Sequence, residues 1–396
     1  MVVTSAWSDE LHKRGFYIKQ KLQGTGACSI FCVTAVKHPD EELCAAKVVN
    51  LDGLDAKGLA AAQQEVSFLR GIATHPNLIT YRDSFIQAPH LVIVMSLAED
   101  GDLRCAVKET SVAQRTLPEC VVFSWLRQML AGLNHMHSQG VLHRDLKSSN
   151  VFLSSGRRRL RIGDFGISTV LESISFATSC VGTPAYMAPE VMRNEKYDFQ
   201  ADMWSVGCIC YELCTLQMPF RATSLVGLFT QVTEEEPDWV LWQGFSEELR
   251  DLAWRLLRKQ PHLRPTAANL MEEPLFLAHG PGSHEVPEKA WAQVAPDKLQ
   301  ASACGAGDGE DGIWQRTSGS DGSTRAGSDM SSIGSPSSVK SGALSSVGSP
   351  ASVKNSALSL AAQFPSTGKA FNISMEDFKR LLAEEEERCG QEVEPA

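Results

Sequence analysis

Residues 141 to 153 read VLHRDLKSSNVFL, with apolar shoulders, Val141-Leu142 and Val151-Phe152-Leu153, around His143, Arg144, Asp145, Lys147 and Asn150. β-Branched and aromatic shoulders suit two short, half-buried strands. The centre does not suit a plain turn, which favours Gly, Pro, Asn, Asp and Ser for their geometry. One acid, three bases and one amide at fixed offsets suit chemistry on a polyanion. A hairpin with a charged turn is the competing reading, and the rest of the chain must decide.

From about Arg14 to about Ala278 strand-like and helix-like stretches alternate without a low-complexity break. Strands are expected at Phe16–Leu22, Phe31–Val36, Cys44–Val49, Leu78–Phe85 and Leu91–Met95, with one helix near Lys57–Arg70. From Val121 onward helical periodicity dominates, as in VVFSWLRQMLAGLNHMHSQG and SEELRDLAWRLLRKQ. The fold class expected is therefore α+β, a small β-rich lobe over 14–95 followed by a larger α-helical lobe over 99–278. With 396 residues, 43% of them hydrophobic, the chain can bury a core of that size.

Charge and cysteine usage narrow the function classes. The net charge is −10, and from Pro281 onward ten basic residues stand against sixteen acidic ones, so neither part has the basic balance of a nucleic-acid binder. The only basic cluster, Arg157-Arg158-Arg159 with Arg161, falls between two expected strands and is read as a solvated hairpin turn. Eleven Cys show no zinc-type spacing, which fits a reduced, intracellular compartment. Cys208, Cys210 and Cys214 lie in the apolar run WSVGCICYELC, where burial is the simplest role. No signal peptide and no membrane span are expected, and no membrane partner.

Beyond Gly280 the composition turns to Gly, Ser, Ala and Pro. Residues 281–372 are expected to be a disordered, low-complexity tail, because so few large apolar residues cannot offset the ordering entropy. Removing 281–396 should then leave the domain folded. Within the tail IGSPSSVKSGALSS is followed by VGSPASVKNSALSL, a tandem repeat over 333–360. Its Ser335 and Ser349 precede Pro and are either phosphate acceptors or parts of a spacer. Ser374-Met-Glu-Asp377 has a capping-box form before Phe378, Leu381 and Leu382, and a short helix is expected over 374–389.

Four more features stand in order around the opening loop. Gly24 and Gly26 lie between two expected strands, where glycines let backbone N–H groups approach phosphates. Lys47, in CAAKVV, would bring an ammonium to the same phosphates, and Glu65 on the next helix can pair with it. Asp164-Phe165-Gly166 follows a strand and offers a carboxylate for a divalent cation.

Together these residues resemble the eukaryotic protein kinases over roughly Arg14 to Ala278. HRDLKSSN is similar to that family's catalytic loop, DFG to its magnesium loop, AAK to its strand-three lysine and GTPAYMAPE to the end of its activation loop. Asp202 in DMWSVG and Arg264 in HLRPTA match its catalytic-loop anchor and the salt-bridge partner of Glu190. HRDLKSSNVFL, GDFGIS, CVGTPAYMAPE and WSVGCICYELCTLQMPF resemble the NIMA-related (Nek) kinases in particular.

The resemblance implies transfer of the ATP γ-phosphate to Ser or Thr of protein substrates, with ATP and Mg2+ as cofactors. Asp145 would orient the substrate hydroxyl and accept its proton, and Lys147 would neutralise charge on the transferred group. Lys47 and Glu65 would orient phosphates, and Leu22, Gly24, Gly26, Met95 and Ala98 would line the nucleotide site. Asn150 and Asp164 would hold magnesium. His143, Phe165, Leu69 and Tyr81 would form a packed spine. Lys147 and Thr183 mark a Ser/Thr rather than a Tyr kinase. Ser179, four residues before Thr183, would carry the activating phosphate, paired with Arg144.

Three departures stand out: Ser29 replaces the third glycine, Phe31 replaces the usual valine over adenine and would narrow that pocket, and Ser96 replaces an acidic residue after Met95. The competing function is a kinase-fold scaffold acting through its tail, against which stands the presence of Lys47, Glu65, Asp145, Asn150 and Asp164. The tail suggests a cytoskeletal or centrosomal partner and a cytoplasmic location, with cytoskeleton, cilium or nucleus as compatible sites.

Overall fold

The computed structural model describes residues 5–24, 28–36, 42–52, 66, 70–164, 183–278 and 286–295. It opens with helix α1 (Ala6–Lys13), followed by strands β1 (Phe16–Gln23), β2 (Cys28–Ala35), β3 (Leu43–Asn50), β4 (Tyr81–Gln87) and β5 (His90–Ser96). These strands form one antiparallel sheet in the order β1-β2-β3-β5-β4. Side chains alternate across a strand, and here the alternation divides two cores. Val49, Leu91 and Ile93 face the core shared with the helical lobe. Cys44, Ala46, Val48, Val92 and Val94 face outward, where Trp7 and Leu11 of α1 cover them.

All five expected strands are present. Leu78 makes only an isolated bridge, to Ile162, and the fourth strand starts at Tyr81 instead. The reason is a competing partner: Ile79 N–H donates to the Ile162 carbonyl and Ile162 N–H to the Asn77 carbonyl, both at 2.8 Å. The helix expected near Lys57–Arg70 lies mostly outside the described residues. Val66, Arg70 and Gly71 are helical, and Arg70 donates to the Tyr81 hydroxyl at 2.8 Å.

The larger lobe contains α2 (Leu103–Val112), α3 (Glu119–Ser138), the hairpin of β6 (Val151–Ser154) and β7 (Arg159–Ile162), then α4 (Pro189–Met192), α5 (Phe199–Thr215), α6 (Leu225–Glu234), α7 (Glu247–Leu256), α8 (Ala267–Glu272) and α9 (Pro274–Ala278). Side chains of Asp102, Asp198, Ser224, Ser246 and Thr266 cap the N-termini of α2, α5, α6, α7 and α8. Helix α5 is buried on nearly every side and runs through the core, burying Cys208, Cys210 and Cys214 as expected.

Two segments outside the 14–278 span are also packed. Helix α1 precedes it, and helix α10 (Glu288–Val294) follows it, with Ala290, Trp291 and Val294 buried in the main core. Over residues 286–295 this corrects the expectation of a disordered tail: Trp291 is large enough to anchor a seven-residue helix against the lobe. The basic cluster is corrected with it. Arg157 to Arg159 do span the β6–β7 hairpin, yet Arg157 is 3% exposed. Its guanidinium donates to the Val294 carbonyl at 3.0 Å and pairs with Glu109 at 2.7 Å, while Arg158 pairs with Glu288. The hairpin thus holds both ends of α10. The tandem repeat and the helix expected over 374–389 lie outside the described residues.

Candidate active site

The first apolar shoulder of the opening stretch is not a strand. Val141 N–H caps the end of α3 by donating to the Met136 carbonyl, and the next amides meet a side chain instead of a ladder. Asp202, one turn into α5 and 1% exposed, accepts from the backbone N–H groups of His143 at 2.9 Å and Arg144 at 3.0 Å. His137 donates to the same carboxylate at 2.9 Å. Burial alone would raise the Asp202 carboxyl, but the His137 bond and the neighbouring His143 hold it below the ordinary carboxylate range. Arg144 has φ 70°, a left-handed conformation that costs a non-glycine residue about 1–3 kcal/mol and is held here by Asp202.

That anchor aims the loop's polar side chains. His143, fully buried, bonds through Nε2 to the Gly163 carbonyl at 3.0 Å. Asn150 donates through Nδ2 to the Asp145 carbonyl at 2.8 Å and to its Oδ2 at 3.0 Å. Lys147 Nζ lies 2.9 Å from the same Oδ2. One carboxylate oxygen of Asp145 is therefore doubly bound.

Opposite stands Lys47, on central strand β3 and 7% exposed, with Nζ 2.8 Å from Asp164 Oδ1. Burial would raise the Asp164 carboxyl, but Lys47, with Lys147 and His143 behind it, holds it low and ionised. Gly163, just before it, cannot be larger, because a Cβ there would come within 2.7 Å of Ile79 and 2.9 Å of Phe152. Gly24, at φ 103°, is pressed against β2 so that a Cβ would lie 2.2 Å from the Cys28 carbonyl oxygen. Leu22, on β1, is half-buried. Met95 pairs across the sheet with Ala45 and Tyr81, and Met95 and Ala98 pack against the main core where the lobes join. Gly26, Glu65, Leu69, Phe165 and Ser179 lie outside the described residues.

One sequence expectation fails on register. Phe31 pairs with Ala46, one position off Lys47, so its ring lies on the outer face beside Trp7. A one-residue step in a strand reverses the face. Cys32, opposite Ala45, takes the cleft side, and Phe31 does not narrow the adenine pocket. Ser96, the other hinge departure, is buried and accepts from Thr80 N–H through Oγ at 3.0 Å, a lock an acidic side chain would not make as compactly.

Below the loop, Arg264 makes a two-pronged ion pair with Glu190 at 2.7 and 2.8 Å, both side chains buried. Thr183 begins the short turn Thr183–Tyr186 in the same region. A further cluster was not foreseen. Glu212 of α5 accepts from the Tyr186 hydroxyl at 2.7 Å and from Ser148 Oγ at 3.4 Å, and Ser148 also meets Tyr186 at 2.8 Å. Burial pushes the Glu212 carboxyl up to about 6 and raises the Tyr186 phenol. The signal was an acid inside the apolar run CICYELC.

The donor set fits a divalent cation beside phosphates. Asp164 is an ionised carboxylate, and Asn150 spends its NH2 on Asp145, which leaves its amide oxygen as a hard ligand. Among the described residues no group of three or more His, Cys, Asp or Glu could hold a metal ion. No helix among them is long and apolar enough to cross a membrane.

A family model described as protein kinase domain matches residues 17–276. The chain is 33% identical to the serine/threonine-protein kinase Nek11 of Mus musculus over 66% of its own length and 41% of that protein. It is 35% identical to Nek5 of Homo sapiens over 60% of its length and 33% of that protein. With nekl-2 of Caenorhabditis elegans the identity is 33% over 66% of this chain and 75% of the relative. The match thus spans between a third and three quarters of these relatives.

Proposed function

Because this chain belongs to the protein kinase domain family, in the Nek group its relatives define, we propose that it transfers the γ-phosphate of ATP to Ser or Thr hydroxyls of protein substrates. The observation that carries the reading is the pairing of Asp145, held by Asn150 and Lys147, with Asp164, held 2.8 Å from Lys47.

Phosphoryl transfer asks chiefly for positioning and for neutralisation of charge. Asp145 presents its less-engaged carboxylate oxygen to the substrate hydroxyl and takes its proton as the oxygen attacks. Lys147 lies beside the acceptor and offsets negative charge on the transferred group. Lys47 leaves Asp164 for the nucleotide phosphates when these enter. Asp164 and the amide oxygen of Asn150 would hold Mg2+, which would supply positive charge to offset that of the phosphates. Lys147 and Thr183 favour Ser/Thr acceptors. On the same reading Ser179 carries an activating phosphate, and the protein works in the cytoplasm with its tail as an attachment segment for a cytoskeletal or centrosomal partner.

The test is incubation of the purified chain with Mg·ATP and a Ser/Thr peptide library. Incorporation on Ser or Thr that disappears with Asp145→Asn supports the reading. No incorporation above background by the parent would leave only the scaffold alternative, and incorporation unchanged by Asp145→Asn would overturn the role given to Asp145.

A further inference from the structure

Helix α1 lies across the outer face of the five-stranded sheet, and its contacts fall at opposite ends. Trp7 stands 5.2 Å from the Phe31 ring of β2, while Leu11 is fully buried in the same cluster. At the other end Arg14 pairs with Asp83 of β4 at 3.2 Å and lies 4.7 Å over the Phe85 ring. The Gly15 carbonyl accepts from Val36 N–H at 3.0 Å, fastening the helix exit to the end of β2. The helix is thus a brace from the strand that leaves the glycine turn to the far side of the sheet.

That strand needs bracing at its loop end. The β1–β2 ladder is irregular at two places, between Ile18 and Gln20 and between Lys21 and Gln23, the second beside the glycine turn. Phe31 alternates with the residues that roof the nucleotide site: Ile30 lies opposite Lys47, Cys32 opposite Ala45, and Cys28 close enough to Lys47 and Asp164 to feel both charges. Any roll of Phe31 off Trp7 tips these cleft-side residues by the same angle, because successive side chains share one backbone.

We propose that Trp7, through Phe31, is a positioning residue for the nucleotide: it seats β2 so that the roof of the phosphate site stays closed over Lys47. This rests on the nucleotide site proposed above. Both side chains lie on the outer face of the sheet, away from Lys47, so the expected effect is on nucleotide binding and not on transfer once bound.

The experiment measures ATP affinity by calorimetry with a non-hydrolysable analogue, and KM and kcat, on the full chain. Trp7→Ala should weaken analogue binding and raise KM for ATP by roughly 3- to 10-fold, about 1 kcal/mol, with kcat at saturating ATP within about 2-fold. Trp7→Phe should restore affinity. In a double-mutant cycle with Phe31→Leu the two effects should not add, since one contact carries both. Trp291→Ala, in the other lobe, should lower the melting temperature with no change in ATP affinity. Unchanged affinity in folded Trp7→Ala, a loss in kcat alone, or additive effects would overturn the inference. If Trp7→Ala does not fold, Trp7→Leu takes its place in the same cycle. A parent protein that binds no ATP analogue would instead overturn the nucleotide-site reading itself.

Discussion

The Arg157 guanidinium donates to the Val294 carbonyl at 3.0 Å from a side chain that is 4% exposed. It joins a hairpin of the catalytic lobe to the last turn of a helix beyond the matched domain, and it makes residues 286–295 part of the folded unit. A chain cut after Gly280 loses the burial of Trp291 as well as this bond. Loss of a buried Trp costs about 3–5 kcal/mol, and for a domain of this size each kcal/mol is worth roughly 2–4 °C. The cut after Gly280 should therefore lower the melting temperature by about 6 °C or more, whereas a cut after Ala295 should lower it by less than about 2 °C. Thermal unfolding of the two truncations decides it, and equal melting temperatures would mean that α10 contributes nothing.

Asp202→Asn tests the loop anchor. The carboxylate accepts from two successive backbone N–H groups and from His137, and an amide can present only one oxygen, leaving an N–H facing an NH2. A buried donor left unpaired costs about 1–3 kcal/mol. If regaining the active loop costs ~2 kcal/mol, kcat falls roughly 30-fold. ATP affinity should stay within about 3-fold, since Lys47 sits on a separate element. Steady-state kinetics with a peptide substrate would expose the error if KM for ATP changed and kcat did not.

Ser179→Ala tests control by phosphate. The Arg144 side chain is exposed, and its backbone is held in place by Asp202. A phosphoserine brings about −1.5 to −2 charge and three acceptor oxygens to such a cation. Turnover of Ser179→Ala should fall at least ~10-fold, equivalent to about 1.4 kcal/mol of lost ordering. Mass spectrometry of active parent protein should find the phosphate on Ser179; its absence there, with full activity, would mean that Arg144 serves another partner.

The polar tip of the catalytic loop was legible because its function demands residue types at fixed offsets. Asp145, Lys147 and Asn150 could be named from the string, and the structure brings Lys147 and Asn150 each within 3.0 Å of Asp145. The anchor Asp202 and the pair Glu190–Arg264 were legible for the same reason. Helices α1 and α10 were not. Each is short and holds one tryptophan, and local composition does not say which distant surface will cover it. The β6–β7 arginines misled in the opposite sense, since charge suggests water while Arg157 is wrapped by Glu109, Asp100 and Val294. Phe31 was placed over the nucleotide by counting from the glycines. The β2–β3 pairing decides the face, and counting along one strand does not reveal it.

The Glu212 carboxyl, buried beneath the loop and pushed up to about 6 from an ordinary 4.5, links stability to pH. The folded protein holds that proton more tightly than the unfolded chain. The stabilising protonated form is therefore fully present below about pH 4.5 and is lost as pH rises through about 6. The change amounts to about 2 kcal/mol, at 1.36 kcal/mol for each pH unit between the two values. Many other groups titrate over the same span, so the informative quantity is the stability of Glu212→Gln minus that of the parent. The glutamine is neutral throughout and its amide oxygen can still accept from Tyr186 or Ser148. Whatever the offset between the two proteins at low pH, the difference should move in the variant's favour by about 2 kcal/mol from about pH 4.5 to about pH 7. Urea unfolding across that window measures it. A difference that stays flat would mean that Glu212 titrates at its ordinary value and that Tyr186 and Ser148 stabilise its charge enough to cancel the cost of burial.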